Sequence, residues 1–178
     1  MRIVSGKYRG KKLKEFNLDS TRPTTDRVKE SIFNLIQFDV AGAVVLDLFA
    51  GTGALGIETI SRGAEKVVLV DNNKQAINII NQNLTGIEGC YEVVFQEYAS
   101  YLKTTKEKFN IVFLDPPYAT DYGADAINLL VNNNLLKNGA IIIFETAYGK
   151  EFNYNEQVFD VTSKKYGTVS VYKLIKKV

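Results

Sequence analysis

The sequence predicts an α/β fold: a doubly wound, mostly parallel sheet that ends in an antiparallel hairpin. From residue 43 onward, short apolar runs rich in β-branched residues alternate with segments of helical periodicity, which is typical of a parallel sheet covered by helices on both faces. The first of these runs ends in a glycine-rich turn. Near the C-terminus, two strand-like runs instead meet at Gly167, as in a hairpin.

Ahead of this core, residues 2–5 and 11–14 are predicted to form a β-hairpin around a loose, glycine-containing turn. Apolar residues then recur at helical spacing, which predicts a helix over 25–37. Strands are expected at 44–49, 66–70, 91–95, 111–114, 140–144, 158–166 and 168–175. Helices are expected between them at 54–61, 75–84, 98–102 and 124–131. We therefore expect one domain, 1–178, in which a hairpin-and-helix extension (1–38) precedes the core (39–178).

Composition excludes several kinds of chemistry. The chain has 178 residues, of which 46% are apolar and 24% charged, an ordinary balance for one globular domain. It has no histidine and a single cysteine, Cys90, which excludes a Ser-His-Asp triad, an internal disulfide and a His- or Cys-rich metal site. No metal is expected. Because the N-terminus is polar and no apolar run approaches the ~20 residues of a membrane span, we expect a soluble, cytoplasmic protein with no membrane partner.

The charges are unevenly distributed along the chain. Residues 1–14 carry 6 basic side chains and 163–178 carry 5, with no acidic residue in either segment, whereas 31–162 hold 8 basic and 16 acidic residues. A basic arm on an acidic body is typical of a protein that binds a polyanion such as nucleic acid. Since Tyr8 and glycines accompany the N-terminal cations, we assign nucleic-acid binding to this arm and interpret the C-terminal lysines as solvated surface charge. The candidate contacts are Arg2, Lys7, Arg9, Lys11, Lys12 and Arg22.

The glycine-rich turn follows the pattern of a nucleotide-cofactor loop. Gly51, Gly53 and Gly56 spell GxGxxG between a predicted strand and a predicted helix, and Asp71 ends the next strand, where a carboxylate binds a ribose. This pattern alone suits either a nicotinamide dinucleotide or S-adenosylmethionine (SAM). Asp47, just before the loop, favours SAM, because a carboxylate would repel a pyrophosphate but attract the amino group of a methionine moiety. The candidate cofactor residues here are Asp47, Phe49, Ala50, Gly51, Thr52, Gly53, Asp71 and Asn72.

A second loop, Asp115-Pro116-Pro117-Tyr118, follows the predicted strand 111–114. It therefore emerges at the same carboxyl edge of the sheet as the glycine loop. Prolines make the loop stiff and remove N–H donors, so the Asp115 carboxylate and the Pro116 carbonyl can accept both hydrogens of an exocyclic amine. That arrangement draws the nitrogen lone pair out of conjugation, and Tyr118 offers a flat face for stacking a base. These four residues are the candidate catalytic group.

With these motifs the sequence resembles SAM-dependent methyltransferases that act on exocyclic or amide nitrogens, and more specifically the RsmD family. Residues 1–10, 21–34, 47–56 and 115–118 carry the resemblance, which extends over nearly the whole chain. It implies a Rossmann-like methyltransferase fold, methylation of a guanine N2 in small-subunit (16S) ribosomal RNA (rRNA), and an rRNA or small-subunit particle as partner. Separately, we expect a monomer. The family usually has Gly-Asp-Ala where this chain has Gln96-Glu97-Tyr98, so Glu97 and Tyr98 are further candidate cofactor contacts.

Three alternatives remain at this point. A DNA adenine-N6 methyltransferase or a protein glutamine methyltransferase would use related motifs, although the latter prefers Asn at position 115. A non-catalytic RNA-binding assembly factor could have kept the same fold. The basic arm argues against a protein substrate, and the short chain argues against a sequence-specific DNA enzyme.

Overall fold

A computed structural model describes residues 1–16 and 26–178. Within these residues the strands form one seven-stranded sheet in the order β3-β2-β1-β4-β5-β7-β6. Its strands are β1 (Val44–Asp47), β2 (Lys66–Asp71), β3 (Tyr91–Phe95), β4 (Phe109–Leu114), β5 (Leu136–Ala147), β6 (Phe159–Tyr166) and β7 (Val169–Lys176). The helices are α1 (Asp26–Leu35), α2 (Ala54–Ser61), α3 (Lys74–Asn83), α4 (Tyr98–Thr104) and α5 (Tyr122–Asn132).

The doubly wound, mostly parallel fold is confirmed. The chain winds from β1 outward to β3, returns across the sheet to β4 on the other side of β1, and continues to β5, and all these neighbours pair in parallel. The terminal hairpin is also confirmed, since β7 pairs antiparallel with both β5 and β6. The strand order reverses beside β1, and ligands bind at such a switch point in open α/β sheets.

Apolar packing covers both faces of the sheet. On one face, residues of the N-terminal segment, α1, α2 and α3 share a cluster with alternate residues of β1, β2 and β4. On the other face, α4 and α5 pack on the intervening residues of the same strands. Val45 and Leu46 show the alternation, because each is fully buried but they belong to opposite clusters. Burial on both faces explains why the strands read as continuous apolar runs.

Some predicted boundaries are wrong. β1 ends at Asp47 rather than at 49, because the chain leaves the sheet there to form the glycine loop. β5 is 12 residues long and ends at Ala147, since it pairs with β7 along its second half. The N-terminal hairpin is reduced to an isolated antiparallel bridge between Arg2 and Lys12. The predicted helix 25–37 is observed as Asp26–Leu35, with position 25 outside the described residues.

Residues 1–16 and 26–178 form helices of 7 to 11 residues. None of their helices is both long and apolar enough to cross a membrane. They also contain no group of three or more His, Cys, Asp or Glu residues that could hold a metal ion.

Candidate cofactor and catalytic site

Three aspartates follow neighbouring strands at the carboxyl edge of the sheet. Asp47 ends β1 and pairs in register with Leu69 of β2 and Phe113 of β4. Asp71 and Asp115 each lie two residues beyond those partners, at the ends of their own strands. The register therefore places all three predicted carboxylates at one edge.

The glycine loop is bound to the end of β2 through Asp71. The Gly51 N–H donates to Asp71 Oδ2 at 2.9 Å, and the Asn73 N–H donates to Asp71 Oδ1 at 2.8 Å. The preceding Ala50 N–H donates to the carbonyl of Val70 at 3.0 Å. Asp71 is thus aimed at the loop, half-buried, with both oxygens already accepting from backbone.

Asp47 lies beneath the glycine loop and is 2% exposed. Its Oδ2 accepts from the Gly56 N–H at 2.9 Å, in the first turn of α2. Burial raises the pKa of Asp47 to about 7, the Gly56 bond opposes that rise, and the negative charge of Asp71 adds to it. This carboxyl therefore titrates near neutral pH, and a nearby cation would stabilise its charged form.

Gly56 is needed where it stands because α2 comes very close to the sheet. A Cβ at this position would lie 2.8 Å from Leu69 Cδ2 and 3.2 Å from Asp47 Oδ2. Gly51 is different: its φ is +57°, and among the described residues a Cβ there would meet only Phe16, at 3.9 Å. The third glycine thus permits helix–sheet packing, while the first leaves the loop backbone open to a ligand.

An aromatic cluster stands beside the loop. The ring centroids of Phe49 and Tyr98 are 5.2 Å apart, and those of Tyr98 and Tyr122 are 5.0 Å apart. The Tyr98 hydroxyl donates to Asp125 Oδ2 at 2.8 Å, and burial together with this bond raises the pKa of Tyr98. Phe49 and Tyr98 were predicted, whereas Tyr122 was missed, because its aromatic partners are distant in sequence. The cluster offers a flat apolar wall for an adenine ring.

The positions of Glu97 and Asn72 add no support for their predicted cofactor contacts. Glu97 is exposed and caps α4, since its Oε2 accepts from the Ser100 N–H at 3.0 Å. Asn72 is also exposed. Both cofactor roles stay predictions.

The loop Asp115–Tyr118 is held by residues of and after β5. The Tyr118 hydroxyl donates to Glu145 Oε1 at 2.6 Å, and Glu145 is 4% exposed. Lys150 Nζ donates to the carbonyls of Tyr118, at 3.1 Å, and of Thr120. Asp115 is half-buried, Pro116 buried and Pro117 exposed. The Tyr118 ring is therefore tethered at its hydroxyl and half-buried, so its orientation is fixed.

Sequence reasoning missed Glu145. The available signal was a single carboxylate in β5, directly after an apolar run and two residues before the strand ends at Ala147. Its burial against Tyr118 makes it a support for the candidate catalytic loop.

The N-terminal hairpin is firmly attached to the body. Glu58 of α2 is fully buried and accepts from the N–H groups of Val4 and Ser5 at 2.9 and 3.0 Å, and it pairs with buried Lys29 of α1 at 3.0 Å. Lys29 Nζ also donates to the carbonyl of Arg2 at 2.6 Å. A Cβ at Gly6 would lie 1.9 Å from the carbonyl oxygen of Ser61, so the hairpin turn approaches the end of α2 as closely as glycine allows.

The predicted RNA-contact residues fall into two groups. Lys7 forms an ion pair with Glu88 at 3.0 Å, and Lys11 donates to the carbonyl of Thr85. The side chains of Arg2, Arg9 and Lys12 are exposed and form no ion pair with any residue that the structure describes, and Arg22 lies outside the described residues.

The hairpin tip contacts Ser61 and Glu88, which precede β2 and β3, so the tip lies at the amino edge of the sheet. Strands of about six residues put that edge about 20 Å from the candidate site.

The chain is similar to known proteins over most of its length, both in sequence and in fold. A family model described as conserved hypothetical protein 95 matches residues 1–175. The protein named ribosomal RNA small subunit methyltransferase D in Haemophilus influenzae is 38% identical over 175 residues, covering 96% of this chain and 91% of that protein. The protein of the same name in Escherichia coli is 37% identical over 147 residues, covering 82% of this chain and 74% of that protein. A solved E. coli structure, provisionally described as a methyltransferase, has a TM-score of 0.89 at 31% identity and covers 99% of this chain and 98% of that chain.

Proposed function

Because the chain belongs to the conserved hypothetical protein 95 family, we propose that it transfers a methyl group from SAM to the exocyclic N2 amine of a guanine in small-subunit (16S) rRNA. Family membership confirms the RsmD resemblance, and relatives named as small-subunit rRNA methyltransferases support the RNA substrate. The observation that carries the proposal is the adjacency of the glycine loop after β1 and the loop Asp115–Tyr118 after β4, its hydrogen-bonded neighbour. A methyl donor and an amine acceptor would meet between them.

The residues around the glycine loop suit SAM. The buried Asp47 carboxylate would bind the cofactor's ammonium group. Asp71 would accept hydrogen bonds from the ribose hydroxyls, which would replace the backbone N–H groups that now donate to it. The wall of Phe49, Tyr98 and Tyr122 would cover the adenine. When bound, the cofactor supplies an activated methyl group, so the protein's main task is to position the acceptor and exclude water.

Asp115 and Pro116 orient the acceptor in this proposal. The Asp115 carboxylate and the Pro116 carbonyl would accept the two hydrogens of the guanine amine and turn its lone pair toward the methyl group. Tyr118, held by Glu145, would stack on the base. The nitrogen gains a carbon and loses one proton, which passes to Asp115 or to water.

We further propose a division of labour within a single domain. Residues 1–38 would form the RNA-binding extension and 39–178 the SAM-binding catalytic core. Arg2, Arg9 and Lys12 are exposed for RNA contact, whereas Lys7 and Lys11 would first have to leave their partners on the body. The enzyme would act as a cytoplasmic monomer on rRNA or on a small-subunit particle.

Nucleoside mass spectrometry tests the function. Unmethylated 16S rRNA incubated with the protein and SAM should gain N2-methylguanosine. Asp115→Ala should abolish the product while leaving SAM affinity nearly intact, because Asp115 contacts the acceptor. Asp39→Ala, which changes an exposed carboxylate after α1, is the matched control and should behave as wild type.

The outcome also separates the alternatives. N6-methyladenine in DNA, or methylglutamine in a protein substrate, would replace the proposed acceptor. SAM binding without any methylated product would contradict the catalytic proposal, and failure to bind SAM would favour the non-catalytic assembly factor.

A further inference from the structure

The five C-terminal lysines differ in their surroundings, although the sequence suggests one class of solvated charge. Lys173, Lys176 and Lys177 each donate to a backbone carbonyl elsewhere in the protein, at 2.8, 3.1 and 2.7 Å. Lys164 and Lys165 are exposed, and among the described residues neither side chain has a hydrogen-bond or ion-pair partner. Lys173 and Lys176 therefore fasten the C-terminal hairpin to α1 and to β5, Lys177 binds within the segment that leads into and forms β6, and Lys164 and Lys165 remain available.

The two available lysines lie at the same edge of the sheet as the candidate catalytic loop. β7 runs antiparallel to β5, so its first residue, Val169, pairs with Ala147 at the carboxyl end of β5. Tyr166, at the end of β6, pairs with the same Val169. Lys164 and Lys165 immediately precede Tyr166, which places them at the carboxyl edge.

The segment after β5 connects these lysines with the catalytic loop. Tyr148 directly follows β5 and is 58% exposed, and Lys165 Nζ lies 3.8 Å from its ring centroid. The Tyr148 N–H donates to the carbonyl of Thr168 at 2.9 Å. Two residues later, Lys150 donates to the carbonyl of Tyr118. An exposed aromatic ring with a cation over it is thus fixed close to the loop that would hold the target base.

We propose that Tyr148, Lys164 and Lys165 form an RNA-contact surface for the nucleotides that flank the target base. The proposal rests on the RNA methyltransferase function above and adds a surface distinct from the N-terminal hairpin. The lysines would contact phosphates, and the Tyr148 ring would stack an unpaired base, since aromatic rings and cations together bind single-stranded nucleic acid. The hairpin tip lies about 20 Å away at the opposite edge, so it cannot serve nucleotides next to the target base.

A pair of matched double variants tests the lysines. Lys164→Ala with Lys165→Ala should weaken binding of unmethylated 16S rRNA about tenfold at 0.1 M salt, and should flatten the log-affinity versus log-salt slope by about 1.4 to 1.8 for two lost phosphate contacts. The Michaelis constant for RNA should rise in proportion, and SAM affinity should not change. Lys103→Ala with Lys106→Ala removes the same charge from the region around the end of α4 and should leave slope and activity as in wild type.

The aromatic contribution has its own pair of variants. Tyr148→Ala should weaken RNA binding at least about fivefold, whereas Tyr148→Phe, which keeps the ring, should not. Suppose that the wild-type protein methylates rRNA, and that the Lys164/Lys165 variant has the same salt slope and the same Michaelis constant for RNA. That result would overturn the proposed RNA-contact surface and leave the proposed function standing. Equal losses in both lysine pairs would also overturn it, because they would indicate a general charge effect. Wild type that does not bind 16S rRNA would overturn both the surface and the proposed function.

Discussion

Replacing Asp47 with asparagine tests the electrostatics beneath the glycine loop. The carboxyl is almost fully buried and its pKa is raised to about 7. Asparagine has nearly the same shape, and its side-chain oxygen can still accept from the Gly56 N–H. The substitution therefore removes the charge and leaves the packing.

The pKa gives the size of the expected effect on stability. A rise from the ordinary 3.8 to about 7 means that ionising Asp47 in the folded protein costs about 4 kcal/mol more than in the unfolded chain. Because the folded-state pKa is the higher one, the stability that the protonated group contributes is complete below about pH 4 and is lost as the pH rises to about 7. The asparagine side chain of the variant does not titrate. Asp47→Asn should therefore raise the free energy of unfolding by up to about 4 kcal/mol at pH 8, and should change it little near pH 4.

The affinity for SAM should depend on pH in the opposite direction to the stability of the wild-type protein. Ionised Asp47 is the form that attracts an ammonium group, so wild-type affinity for SAM should rise with pH up to about 7, approaching tenfold per pH unit at the acidic end. Asp47→Asn should bind SAM at least about tenfold more weakly near neutral pH, because a charge-assisted hydrogen bond of about 1.5–3 kcal/mol is lost. Its affinity should vary little with pH.

Two measurements on the same preparations check this reasoning. Urea unfolding near pH 4 and pH 8 reports the stability difference, and titration calorimetry between about pH 5.5 and 7.5 reports SAM affinity. A variant whose SAM affinity keeps the wild-type pH dependence would refute the role of Asp47, even if the protein became more stable.

Three other variants examine the rest of the site. Asp71→Ala should weaken SAM binding at least about tenfold by calorimetry, because it removes the proposed ribose acceptor and the carboxylate to which the Gly51 N–H donates. Lys29→Met should lower the free energy of unfolding by about 1.5–3 kcal/mol in urea titration, since it removes one of the two cations that pair with buried Glu58 and leaves Arg62 as the other; a smaller loss in Lys29→Met combined with Glu58→Gln would confirm the pairing. Arg9→Ala with Lys12→Ala should flatten the salt slope of RNA binding by about 1.4 with no change in melting temperature, and an unchanged slope would contradict RNA contact by the hairpin.

The sequence predicted the features that depend on local pattern and on general rules of chain connection. Apolar runs alternating with helical segments specified a parallel sheet, and parallel strands bring their carboxyl ends to one edge. The sequence alone therefore places Asp47, Asp71 and Asp115 together. Boundaries were less predictable, as at β5, because strand length depends on the neighbours with which it pairs.

Side-chain partnerships between distant segments could not be predicted. Tyr118 and Glu145 are 27 residues apart, and Lys29 and Glu58 belong to different helices. A lysine on a predicted amphipathic helix indicates a solvated face, but Lys29 is fully buried. Such pairs depend on how elements pack, which periodicity does not encode.

Helix α2 links the two functional regions of the proposed enzyme. Its first turn supplies Gly56, which binds Asp47 beneath the glycine loop, and its second half supplies Glu58 and Ser61, which bind the hairpin. An eight-residue helix is about 12 Å long and nearly rigid. The hairpin is therefore held at a fixed distance from the cofactor loop and does not act as a flexible tether. An RNA bound at the hairpin could present a base to Asp115 only where its own folded shape spans the two edges of the sheet. The fixed geometry would thus select a structured RNA over an arbitrary single strand.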